Sequence, residues 1–219
     1  MTIQNMTEDQ IKELKVDNAD TVIVSMEMIA EEILAVSGDI EKDRIAGMLE
    51  HIIDTAKTGK KIFIMGAGRS GLVGKTFAMR LMHLGFNVFV IGETTTPAVR
   101  EGDLVILITG SGQTRSVAEV GEIAAKLGAR LVTISSKTKS VLAGISDVLV
   151  VLPTKSKDDT VYKERYMERH LVGDYSNLVP MGTSFEIMAL IFLDSVIAEL
   201  IQITKSTEEE MKRKHANTE

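Results

Sequence analysis

Apolar side chains recur at three- and four-residue steps near the start of the chain, at Val22, Met26, Ile29, Ile33 and Val36. That spacing puts them on one side of a helix and predicts one from about Ala19 to Val36. Gly38 and Asp39 interrupt the pattern, with Asp39 placed to cap the next helix. This second helix is predicted from about Ile40 to Thr58, where Ile45, Met48, Leu49, Ile52 and Ile53 share a side. Gly59 then stands where a left-handed residue ends helices.

From Lys61 onward the period changes. Short, almost unbroken apolar runs predict strands at Ile62–Met65, Asn87–Ile91, Leu104–Thr109, Leu131–Ser135 and Val148–Leu152. Helical patterns from about Ser70 to Leu84 and from about Thr114 to Leu127 lie between them. Strands apolar on both faces and alternating with helices predict a parallel sheet covered on each side, an α/β fold. The segment from Pro153 to Pro180 is polar and charged, and reads as a long loop, a short solvated helix or a lid. A last helix is predicted from Thr183 past Gln202. It is apolar on several faces, which calls for burial on more than one side, including at a subunit interface. The chain thus reads as one domain, 1–219: N-terminal helices (1–59), sheet core (60–152), polar insertion (153–180), and C-terminal helix with a charged tail (181–219).

Composition narrows the function classes. The 219 residues carry 25 Lys plus Arg against 31 Asp plus Glu, a net charge of −6. An acidic chain with 4% aromatics and no Trp has neither the basic face nor the stacking platforms of a general nucleic-acid binder. No apolar run approaches the ~20 residues that span a bilayer. Cysteine is absent, which removes disulfides, thiolate metal sites and cysteine nucleophiles. With a polar N-terminus, this fits a cytoplasmic protein. Four scattered histidines have no metal-ligand spacing, so no metal is expected. Methionines at 26, 28, 48, 79, 82 and 188 read as core packing.

The chemistry concentrates in glycine loops. Residues 66–71, G-A-G-R-S-G, sit between a predicted strand and helix and satisfy the dinucleotide fingerprint, with Glu93 about where an acid would hold a ribose hydroxyl. Gly74-Lys75-Thr76 hints at a P-loop, but that motif requires glycine at 69, which is Arg69. A second loop, T-G-S-G-Q-T-R-S at 109–116, comes after the third strand and opens a helix. Ser111, Gln113, Thr114 and Ser116 group polar side chains there, and Gly112 allows close approach. With the free N–H groups of a helix start, these residues can hold a phosphate dianion without a lysine. Alternatively, Ser111 and Thr114 merely cap the helix. A dinucleotide site does not need this second hydroxyl-rich loop, whereas a phosphosugar site does.

K-K-I-F-I-M-G-A-G-R-S-G, F-A-M-R-L-M-H-L-G-F, G-E-T-T-T-P, L-I-T-G-S-G-Q-T-R-S-V and V-P-M-G-T-S-F-E-I-M-A-L-I-F-L-D-S-V-I-A-E-L together resemble the sugar isomerase (SIS) domain family. The likeness covers roughly Ala19 to His215, apart from 154–179. It implies a three-layer α-β-α sandwich around a five-stranded parallel sheet, often assembled as a homotetramer. The run R-L-M-H-L-G-F…G-E-T-T-T-P and the start of the last helix resemble the branch that interconverts 3-hexulose 6-phosphate and fructose 6-phosphate in the ribulose monophosphate pathway, with no metal or organic cofactor. By the same resemblance, the phosphate loop falls on Ser111, Gly112, Gln113, Thr114 and Ser116. The first glycine loop contributes Gly68, Arg69 and Ser70, and the G-E-T-T-T loop contributes Thr94, Thr95 and Thr96. The candidate base is Glu186. His215 is a candidate proton donor through a loose K-R-x-H likeness, and His83 is a weaker second.

Moving a carbonyl from C3 to C2 takes a proton from C2 and returns one to C3 through a cis-enediol, and one carboxylate on one face can do both. Competing readings stand beside each assignment. Thr183 and Glu186 have the spacing of a capping box. His215 can be a solvent-exposed tail residue. Arg69 can bond the substrate or pair with an acid across a subunit boundary. A non-catalytic phosphosugar sensor and a Rossmann-type dinucleotide enzyme are the alternative functions.

Overall fold

The computed structural model describes residues 3–15, 19–154 and 183–213. Five strands, β1 (Ile62–Gly66), β2 (Val88–Val90), β3 (Leu104–Ile108), β4 (Arg130–Ser135) and β5 (Val148–Val151), form one sheet in the order β2-β1-β3-β4-β5. All its neighbours run parallel, with Ile62 opposite both Val88 and Leu104, and Leu104 opposite Arg130. The α/β sandwich expected from the apolar runs is therefore present.

Alternation along the strands divides the core between two faces. Ile62, Ile64, Leu104, Ile106, Ile108, Val132 and Ile134 face one layer of helices. These are α3 (Lys42–Lys57), α4 (Arg69–Leu84) and α7 (Thr183–Thr204), which bring Met48, Ile52, Phe77, Leu81, Phe192 and Leu193 against the sheet. Phe63, Val105, Leu107 and Leu131 face the other layer, where α5 (Arg115–Lys126) and α6 (Val141–Ile145) add Val117, Ala124 and Leu142. Each fully buried Val, Leu, Ile, Met or Phe among them contributes about 1.5–3 kcal/mol relative to exposure. Most apolar positions of α7 are covered by its own chain, leaving Ile191 and Ile203 exposed.

Differences from the sequence reading are local. The N-terminal helices are unequal partners. α3 joins the core, whereas α2 (Asp20–Ser37) buries only Val36 and leaves Val22 and Met26 exposed. Met79 and Met82 are also exposed, so only Met48 and Met188 of the methionines expected in the core are buried. The residue ahead of α3 is Glu41 rather than Asp39, and it makes no side-chain cap. Three short helices lack a signal in the apolar pattern: α1 (Glu8–Lys12), α6 and α8 (Glu208–Lys212). Thr7 and Thr207 each form a capping box, and Ser140 accepts the Ala143 N–H at the start of α6.

The site-bearing loops are placed by the strand order. Strands β1 and β3 are neighbours, but β2 lies outside β1 and β4 outside β3, so successive connections diverge there. Open α/β sheets bind ligands at such a switch point, outside the carboxyl ends of the strands. Both glycine loops leave the sheet at that place.

Candidate active site

The first loop is shaped by close packing. A Cβ on Gly66 would lie 2.7 Å from the Ser70 carbonyl oxygen, and one on Gly71 would lie 2.8 Å from the Gly66 oxygen. The strand end and helix start touch backbone to backbone, which accounts for glycine at 66 and 71 without a dinucleotide. Gly68 precedes α4 with φ +56 and no side chain caps the helix. Ser70 is buried, while the Arg69 side chain is half exposed.

Hydrogen bonds fix the second loop. Ser135 Oγ, Ser136 Oγ and Ser136 N–H all donate to the Gly110 carbonyl, at 3.2, 2.7 and 3.1 Å. That carbonyl is therefore turned toward the end of β4, and in a trans peptide the Ser111 N–H points the opposite way. Gly112 has φ +65 and is packed beneath Ser140, so closely that a Cβ there would overlap the Ser140 side chain. Thr114 precedes α5 but makes no capping bond; its hydroxyl lies 2.9 Å from Thr109 Oγ1. Ser111 Oγ accepts the Gln113 N–H at 3.2 Å. The capping explanation for Thr114 therefore fails, and the first turn of α5 keeps its partial positive charge available for an anion. Ser111, Gln113 and Ser116 are exposed around it.

α7 closes the site. Phe185 packs on Gly110, where a Cβ would meet the ring at 3.2 Å. The next residue, Glu186, has a side chain only 17% exposed, with Oε2 4.0 Å from Arg69 Nη2. One acid facing Arg69 thus comes from the same chain. Oε2 is shielded from solvent and accepts no hydrogen bond among the described residues. Leaving a buried oxygen unsatisfied costs about 1–3 kcal/mol, and such costs persist where function requires them. Thr183 is the first described residue of α7, and Glu186 lies in its first turn. Ser184 donates to Glu32 at 2.7 Å, tying this turn to α2.

On the other side of β1, the loop after β2 exposes Thr94 and Thr95. The Thr96 hydroxyl instead donates to the Val90 carbonyl at 2.5 Å, so it shapes the turn. The structure therefore brings the first glycine loop, the hydroxyl-rich loop and Glu186 together at one edge of the sheet. His215 and most of the polar insertion lie outside the described residues, and His83 is buried in α4. Sequence reasoning overlooked Ser135, Ser136 and Ser140, although S-S-K-T-K-S at a strand's carboxyl end was the available signal. Among the described residues no group of His, Asp or Glu is arranged to hold a metal.

A SIS domain model matches residues 57–190, which include both glycine loops and Glu186. The chain belongs to the SIS domain family. A relative in Aeropyrum pernix, carrying no functional name, is 44% identical over 81% of each chain. A 3-hexulose-6-phosphate isomerase of Methanocaldococcus jannaschii is 38% identical, over 88% of this chain and 96% of its own. A solved structure from Methanococcus jannaschii, whose description infers a molecular function of 3-hexulose-6-phosphate isomerase, is 36% identical with a TM-score of 0.71 and covers 88% of this chain and 97% of that one. The SIS membership accounts for the glycine fingerprint that a Rossmann enzyme would share.

Proposed function

We propose that this chain is a 6-phospho-3-hexuloisomerase, interconverting 3-hexulose 6-phosphate and fructose 6-phosphate. The observation that carries the reading is the pairing of an uncapped, hydroxyl-lined helix start at 111–116 with a shielded carboxylate at Glu186, joined through Phe185 on Gly110. Relatives named for this activity support the choice of substrate.

The placement of these groups suggests the chemistry. The dianion sits at the start of α5, held by N–H groups and by Ser111, Gln113 and Ser116. Thr94 and Thr95 meet the carbon chain. Glu186 takes the C2 proton of the 3-ketose, the freed electron pair forms the C2=C3 double bond, and the C3 carbonyl oxygen takes a proton from solvent to become a hydroxyl. The C2 hydroxyl of this cis-enediol then gives a proton back to solvent as the carbonyl re-forms at C2, and the C2=C3 electron pair takes up at C3 the proton that Glu186 holds. Arg69 steadies negative charge on the enediol oxygens and holds the carboxylate in place. The enzyme is further proposed to act in the cytoplasm, in the ribulose monophosphate pathway, as a homotetramer whose contacts would cover apolar positions such as Val22 and Met26 on α2.

A coupled assay supplying 3-hexulose 6-phosphate and detecting fructose 6-phosphate tests the reading. Turnover is expected from the purified chain alone. Binding of fructose 6-phosphate without any turnover would instead identify a sensor. Ser111→Ala combined with Ser116→Ala should weaken fructose 6-phosphate binding about 10–100-fold, as expected when hydrogen bonds to a charged group are lost. Unaltered affinity by calorimetry would reject the phosphate loop.

A further inference from the structure

Two residues that suggested nucleotide binding in the sequence have no place in the isomerase chemistry, and the structure pairs them. Lys75, from the failed P-loop match, lies with Nζ 2.5 Å from Oε1 of Glu93, the acid that mimicked a ribose ligand. Lys75 sits on α4, whereas Glu93 sits in the loop after β2. The pair stands apart from the hydrogen bonds that shape the Ser111–Ser116 loop. It is half exposed, 54% and 50% for the two side chains, so it adds little to global stability. Its significance lies in what it joins.

The loop is otherwise bonded largely to itself. Gly92 has φ +99, Glu93 N–H donates to the Val90 carbonyl at 3.2 Å, and Thr96 N–H donates to the Glu93 carbonyl at 3.1 Å. The Thr96 hydroxyl returns to Val90 as well. These bonds set the turn's shape but not its tilt over the sheet edge. The Glu93 carboxylate reaches beyond the turn to α4, one residue from the exposed Thr94–Thr95 tip. α4 also carries Arg69, which meets Glu186. One helix therefore holds two parts of the site through two cations six residues apart, about 9 Å along its axis.

We propose that Lys75 and Glu93 form a positioning pair that sets the threonine loop for substrate binding, an inference that rests on the phosphosugar function proposed for this chain. The pair acts through Thr94 and Thr95, so its loss should appear in KM and leave the proton transfer intact. Three variants test this: Lys75→Met, Lys75→Arg, and the charge-reversed Lys75→Glu with Glu93→Lys. Each is assayed for KM and kcat with 3-hexulose 6-phosphate, and for amide hydrogen exchange across residues 92–96 in the unliganded protein. Lys75→Met should raise KM about tenfold with kcat within about twofold, and should speed exchange in the loop. Lys75→Arg and the reversed pair should restore both readouts. The inference fails if Lys75→Met leaves KM and exchange at wild-type values, if kcat falls in step with the rise in KM, or if neither restoring variant recovers them. Should the wild type show no isomerisation, the functional reading falls by itself. Loop exchange in Lys75→Met then decides the pairing, with wild-type exchange overturning it.

Discussion

Glu186→Gln should leave the fold and fructose 6-phosphate affinity close to wild type while lowering turnover by at least ~10²-fold, the scale of lost general acid–base catalysis. The amide matches the carboxylate in size and keeps its place between Phe185 and Ile187 on α7, but it cannot accept the C2 proton. Its surroundings suit the exchange, because Oε2 is shielded and accepts no hydrogen bond among the described residues. Arg69 Nη2 lies 4.0 Å from Oε2, and the oxygen of an amide at this position can still face the guanidinium. Single-turnover rates and calorimetric affinity, measured on one preparation, separate chemistry from binding. Near-normal turnover would reduce Glu186 to a structural residue and remove the proposed base.

Gly112→Ala should be among the most damaging single-methyl additions to this chain. The residue has φ +65, a region that costs an alanine roughly 1–2 kcal/mol. The added Cβ would also lie 2.6 Å from the Ser140 Cβ and 3.2 Å from Ser135 Oγ. Ser140 cannot easily retreat, because its hydroxyl holds the start of α6 through the Ala143 N–H at 3.0 Å. Overpacking of this kind costs about 1–3 kcal/mol. A total of about 2–5 kcal/mol predicts a fall in Tm of roughly 5–20 °C for a chain of this size. Phosphosugar affinity should fall with it, since Ser111 and Gln113 flank the displaced residue. A melting curve that overlays the wild type would show that the loop accommodates the methyl and is not held as described.

The sheet was legible because each strand is apolar on both faces, a pattern with few alternatives once helices separate the runs. The glycines at 66, 68 and 71 were equally visible, but their cause was not. Backbone contact between Gly66 and Gly71 is common to nucleotide folds and to this one, so the motif could not choose between them. Features that depend on distant neighbours escaped the sequence. Lys75 and Glu93 are 18 positions apart and meet only because β2 returns parallel to β1. Thr96 looked like its neighbours Thr94 and Thr95, yet the turn through Gly92 directs its hydroxyl to Val90. The five residues of α6 are too few to show a helical period, and Ser140 at its start is indistinguishable in sequence from ordinary loop polarity. Helical spacing in α2 was real, but spacing cannot reveal whether the chain supplies a neighbour for Val22 and Met26, and here it leaves both exposed.

In the proposed mechanism, the packing of Phe185 on Gly110 ties the group that moves hydrogen to the group that grips the dianion. Any shift of one drags the other, so the span between them behaves as a measuring stick built into the backbone. The proposed mechanism would then select a ketose phosphate by how many carbons separate its anchored end from its reactive pair, before any hydroxyl is inspected.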